Sequence, residues 1–151
     1  AATIDELGAT GRDAERRGLS NLRFLDPIPK DEIPDLLAAA DIGLHVLADV
    51  PLFRTAVSPN KVFDYMAAGL PTLTNCPGLV SDLVSNASAG VAVKPTDLGK
   101  GLAALGQLDN ERRGEWGATA QRWIGEHQSR SAMARRLMTV LNSTSTGRRH
   151  G

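Results

Sequence analysis

The chain is short of cysteine, of aromatic residues, of excess charge and of long apolar runs, and each shortage removes a class of function. One cysteine, Cys76, among 151 residues closes no internal disulfide and offers no thiolate-rich metal site, which suits a reducing, cytoplasmic setting. Aromatic residues make up 4% of the chain, too few for a base-stacking platform or the aromatic floor of a lectin. Seventeen basic residues balance seventeen acidic ones, so there is no basic surface to neutralise a nucleic-acid backbone, and no nucleic-acid partner is expected. No apolar run approaches the roughly 20 residues that cross a bilayer. The opening AATIDELGATGRDAERRG lacks the apolar stretch and flanks of a secretory signal. Of the three histidines, His45 lies inside an apolar stretch and reads as a hydrogen-bonded core residue. His127 and His150 have no partner at ligand spacing, so no metal is expected.

What is present supports one sizeable core: 42% of the residues are hydrophobic. Residues 1–142 read as a single domain and 143–151, Ser-Thr-Ser-Thr-Gly-Arg-Arg-His-Gly, as a disordered tail. A helix over Ile4–Arg17 precedes a strand over Asn21–Asp26 and a helix over Lys30–Ala40. The apolar Ile42–Leu47 fits a buried parallel strand, Leu47–Val57 a loop, and Pro71–Asn75 and Gly90–Lys94 two further strands around a short helix at Leu79–Ser85. From Thr96 the pattern is wholly helical, with helices near 98–107, 111–124 and 129–141. Strands alternating with helices predict an α/β, Rossmann-like parallel sheet with helices on both faces and a helical C-terminal extension. Ligands of such sheets bind beyond the carboxyl ends of the strands.

The segment Ala56–Thr72, AVSPNKVFDYMAAGLPT, lies at that edge. Ser58 is an N-cap type of residue, Pro59 suits the first helical position, and Gly69 stops the helix before Leu70-Pro71. The open end of a helix presents N–H groups without intrahelical partners and a partial positive charge, which suits a diphosphate. Asp64 stands four residues from Asn60 and three from Lys61, so the three can share one helix face and an amide, an ammonium and a carboxylate together can hold a phosphate and a sugar diol. The same residues also make an ordinary capped helix with a solvated ion pair, and spacing alone does not choose between the two readings.

Met66-Ala67-Ala68-Gly69 followed by Pro71, with Asp64 two residues before the run, resembles the donor-site signature of retaining GT-B glycosyltransferases of family four, also called group 1. That signature carries two glutamates eight positions apart. Here Asp64 takes the second position and Ala56 occupies the first. The resemblance covers about residues 18–140. It implies one half of a GT-B fold, the donor-binding half, cut into near its first strand at Ala1, with the acceptor half lying upstream. It implies Asp64 on the ribose hydroxyls; Ser58, Pro59, Asn60 and Lys61 at the diphosphate; and Pro27 and Ile28 in a loop passing close to the base. The function so implied is transfer of a sugar from a nucleotide-sugar, a UDP-sugar first, to a glycan or lipid-linked acceptor in cell-surface polysaccharide synthesis. No cofactor or metal is expected, since no Asp-x-Asp pair occurs. The full enzyme would be cytoplasmic, with room for peripheral association at the inner face of the membrane, and this chain alone would be inactive. No catalytic residue is assigned. The alternative is a non-catalytic Rossmann-like module that binds a nucleotide or a partner, which Ala56 favours.

Overall fold

The computed structural model describes residues 4–55, 57 and 59–146. It divides into two compact units, residues 1–33 and 34–151. The first holds α1, Ile4–Arg16. Its last turn closes on Gly18, at φ 65°, with Gly18 N–H reaching the Glu15 carbonyl and Leu19 N–H that of Ala14, the Schellman pattern that glycine permits. The strand expected over Asn21–Asp26 does not form: the segment is irregular and pairs with no other strand among the described residues. Alternating Leu22, Phe24 and Asp26 satisfy the period of a strand, but a strand exists only where a neighbour completes its ladder.

The helix expected over Lys30–Ala40 shrinks to α2, Ile33–Ala38. In the second unit, β1 (Gly43–His45), β2 (Thr72–Thr74) and β3 (Gly90–Ala92) form a parallel sheet in that order. Each keeps only the centre of the apolar stretch that marked it. The register places Gly43 opposite Thr72 and Thr72 opposite Gly90, and aligns His45, Thr74 and Ala92 at the carboxyl edge. Because side chains alternate along a strand, these residues share one face and Leu73 points to the other.

Helices α4 (Asn60–Ala67) and α5 (Leu79–Asn86) cover the face shared by Gly43, Thr72 and Thr74. Val62 and Met66 from α4 and Val80 and Val84 from α5 pack there with Cys76, Ala89 and Ala120. Helix α6, Leu98–Gly106, follows a 3-10 turn at Pro95–Asp97 and covers the Leu73 face. A Cβ on its Gly101 would stand 2.6 Å from Leu73 Cδ1, so glycine lets the helix settle onto the sheet. Helices on both faces of a parallel sheet are the α/β, Rossmann-like architecture that the sequence predicts.

Helix α7, Asn110–His127, starts at Asp109, whose carboxylate accepts the Arg112 N–H at 2.8 Å. Gly117 and Ala120 face inward, and Trp123, stacked on His127, packs with Ile124 against the core. Helix α8, Arg130–Thr146, continues into the segment expected as a tail. Residues 147–151 lie outside those described. The loop expected over Leu47–Val57 contains a short helix, α3, Pro51–Thr55. No described helix is long and apolar enough to cross a membrane.

Candidate functional site

The site is built where β1 and β2 end and α4 begins. Helix α4 is set close over β1 because Gly43 has no side chain: a Cβ there would lie 2.5 Å from the Tyr65 ring. Tyr65 Oη, in turn, donates to the Leu44 carbonyl at 3.3 Å. At the other end three residues of the Met-Ala-Ala-Gly-Leu-Pro run are packing. Met66 and Pro71 are fully buried and Leu70 nearly so. Gly69, at φ 76°, closes a Schellman turn in which its N–H reaches the Met66 carbonyl and Leu70 N–H that of Tyr65. Buried residues of the family-like run therefore hold the helix, and the polar residues before it, Asn60, Lys61 and Asp64, face the solvent.

The helix begins one residue later than expected. Its N-cap is Pro59, with φ −80° and no side-chain cap, and Phe63 N–H makes the first turn to the Pro59 carbonyl at 3.0 Å. Proline contributes no N–H and no capping side chain. Pro59 itself is buried. Ser58, expected at the diphosphate, and Ala56 lie outside the described residues. Asn60, Lys61 and Asp64 are all exposed, and their spacing places them along one face of α4.

A cavity of about 340 Å³ opens at this point, lined by Leu44, His45, Val46, Leu47, Val57, Asn60 and Lys61. It brings Asn60 and Lys61 together with the end of β1. Asp64 is not in its lining; it stands one turn further along the same helix face. Pro27 and Ile28 belong to the first compact unit, where Pro27 is exposed and Ile28 half-buried.

Two residues shape the site that the sequence did not mark. Asn75, just past β2, accepts Leu47 N–H on Oδ1 and donates through Nδ2 to the Leu47 carbonyl, both at 2.9 Å. A side-chain amide thus continues the ladder between β1 and β2 by one rung and fixes where the chain leaves the sheet. His45 is 6% exposed, and its Nδ1 lies 3.3 Å from Thr74 Oγ1. It is buried, as expected, yet it also lines the cavity beside Lys61. Burial first, and the Lys61 charge to a smaller extent, hold its pKa below the usual 6.5, against the opposing pull of its own backbone carbonyl. The only detectable signal in the sequence was a lone polar residue at the carboxyl end of an apolar strand.

The neighbouring turn is a structural joint. Cys76 is buried and donates through Sγ to the Phe53 carbonyl at 3.1 Å. Burial raises its pKa, which marks an inert thiol. Gly78, at φ 79°, brings its Cα against α3: a Cβ there would lie 2.8 Å from the Arg54 carbonyl oxygen. Arg54 pairs with Asp49 at 2.8 Å across the same loop. Among the described residues, no three His, Cys, Asp or Glu side chains converge as metal ligands would.

The arrangement can hold an anion: two cationic or protonatable side chains, an amide side chain and helix-end amides surround one opening. A family model described as glycosyl transferase-like matches residues 5–145. The solved structure of WaaG, a glycosyltransferase involved in lipopolysaccharide biosynthesis, is similar to this chain with a TM-score of 0.63 at 23% identity. The match covers 80% of this chain and 32% of that one, so the chain spans about a third of that protein's length. No curated protein matches.

Proposed function

Because the chain belongs to the glycosyl transferase-like family, we propose that it is the donor-binding part of a retaining GT-B glycosyltransferase, taking a nucleotide-sugar, UDP-linked first. The observation that carries the reading is the cavity between the end of β1 and the start of α4, with Asn60 and Lys61 on its wall. Its volume of about 340 Å³ lies at the small end of ligand-sized cavities and suits a diphosphate with part of its flanking sugars. The start of α4 and the Lys61 ammonium hold the phosphates, with Ser58, Pro59 and Asn60 as the further contacts. Asp64, one turn on, accepts the ribose hydroxyls.

As the bond to the sugar breaks, negative charge grows on the departing diphosphate, and Lys61 and the helix end stabilise it where it forms. No residue of this chain is assigned as nucleophile. The acceptor, a glycan or lipid-linked sugar, is held by a further part of the full enzyme, which works in the cytoplasm against the membrane's inner face. The involvement of WaaG in lipopolysaccharide biosynthesis supports a cell-surface polysaccharide product. The absence of an Asp-x-Asp pair from the sequence supports a donor site that needs no metal.

Calorimetric titration with UDP, GDP and UDP-sugars, repeated with Asp64→Ala, tests this reading. Saturable binding of one nucleotide that weakens in the variant is expected; a folded protein that binds none overturns it. Ala56, standing where the family signature has an acid, supports a second reading, a nucleotide-binding module without transfer. Equal affinity for UDP and every UDP-sugar would favour that module.

A further inference from the structure

We propose that His45 is a second cationic contact for the diphosphate: its imidazole takes a proton from solvent as the phosphates enter and, with Lys61, balances their charge. The inference rests on the donor-site reading and adds to it a residue and a proton.

The geometry allows His45 to change protonation state without rebuilding its surroundings. His45 is the last residue of β1 and sits opposite Thr74, the last of β2. Thr74 Oγ1 already accepts the Cys76 N–H at 3.1 Å. That hydroxyl still has one proton and one lone pair. It donates to Nδ1 of the neutral ring and, after rotating, accepts from Nδ1–H of the protonated ring, so the 3.3 Å contact serves both states. Among the described residues no other side chain hydrogen-bonds the ring. Thr74 meets the ring from β2 and Lys61 shares its cavity from α4; among the described residues Lys61 is the one charged group that acts on it.

Before a diphosphate enters, burial and, to a smaller extent, the Lys61 ammonium hold the ring's pKa below its usual value. A positive charge on the buried ring would lose hydration and be repelled by the Lys61 ammonium. A diphosphate reverses both effects, since its charge lies within reach of each. Phosphate entry and protonation are then linked, each favouring the other to the same extent. The proton comes from solvent and returns to it when the nucleotide leaves. No bond is made or broken.

The test follows the His45 ring by two-bond 1H–15N NMR through a pH titration, with and without inorganic pyrophosphate. The signals are assigned by loss in His45→Gln, and His127 on α7 serves as reference. Pyrophosphate is expected to raise the His45 midpoint by about one pH unit and to leave His127 unmoved. His45→Gln, which keeps an amide in place of the ring, should bind pyrophosphate about threefold to tenfold more weakly at pH 6.5 and melt normally. If pyrophosphate binds saturably, more weakly in Lys61→Ala, while the His45 midpoint stays put, the histidine inference is overturned and the donor-site reading stands. If the folded protein shows no saturable binding of pyrophosphate at all, both fall.

Discussion

Two glycines three residues apart on α7 should respond to the same substitution with opposite signs. A Cβ on Gly117 would enter the van der Waals shell of the Gly69 carbonyl oxygen and lie 2.9 Å from its carbon and 3.3 Å from its Cα. None of these atoms can swing aside. They belong to a backbone turn at φ 76° that is fixed by the Schellman bonds of α4. Gly117→Ala must therefore push α7 off α4, and overpacking of this kind costs about 1–3 kcal/mol. The gain in helix propensity of about 1 kcal/mol offsets only part of it. Gly114 sits in the same helix, and a Cβ there would meet nothing within 4 Å, so Gly114→Ala keeps the propensity gain alone. At about 3–4 °C per kcal/mol for a chain of this size, Gly117→Ala should lower the melting temperature by several degrees and Gly114→Ala raise it by a few. Differential scanning calorimetry of both variants checks this. Equal melting temperatures would refute the close seating of α7 on the turn that ends the site helix.

Ser88 holds a left-handed conformation, φ 48°, at the end of α5, so Ser88→Gly should stabilise the fold by about 1 kcal/mol in chemical denaturation. Asn75→Ala strips both bonds from the Leu47 backbone and should cost about 2 kcal/mol, with faster amide exchange at Leu47 as the local sign. The His45 pKa is lowered in the folded state, so the unfolded chain takes its proton first as pH falls. That contribution is complete above about pH 6.5 and is lost as pH drops through the folded midpoint; His45→Gln should flatten part of the fall in thermal stability between pH 7 and 5. Adding EDTA should leave UDP affinity unchanged in calorimetry; a loss of binding would contradict the metal-free donor site.

Much of the second unit was legible because its signals are local. Apolar stretches at Ile42–Leu47, Pro71–Asn75 and Gly90–Lys94 each contain a strand, and the glycines and prolines around α4 end it where they should. The strand expected at Asn21–Asp26 was not legible in the same way, because its alternating pattern says nothing about a partner. Nor was α3 visible: Pro51 opens it in a stretch without helical periodicity, and its anchors, the Cys76 thiol and the close approach of Gly78, come from a segment more than 20 residues away. At the site, the sequence marked Asn60, Lys61 and Asp64 through helix spacing, and Asn60 and Lys61 meet in the cavity. Asn75 and His45 escaped because their importance lies across the sheet, between strands whose register no local pattern reveals. The family-like run from Met66 to Pro71 drew attention for its chemistry and proved to be packing, with the exposed polar face immediately before it.

The central claim is that a nucleotide diphosphate sits between the end of β1 and the start of α4. Backbone amide NMR of the 15N-labelled chain titrated with UDP tests it most directly. The account predicts saturable shifts concentrated at His45–Leu47 and at the amides of Asn60, Lys61 and Val62, reduced in Lys61→Ala. Shifts confined to other elements, with these residues unmoved at saturation, would contradict it.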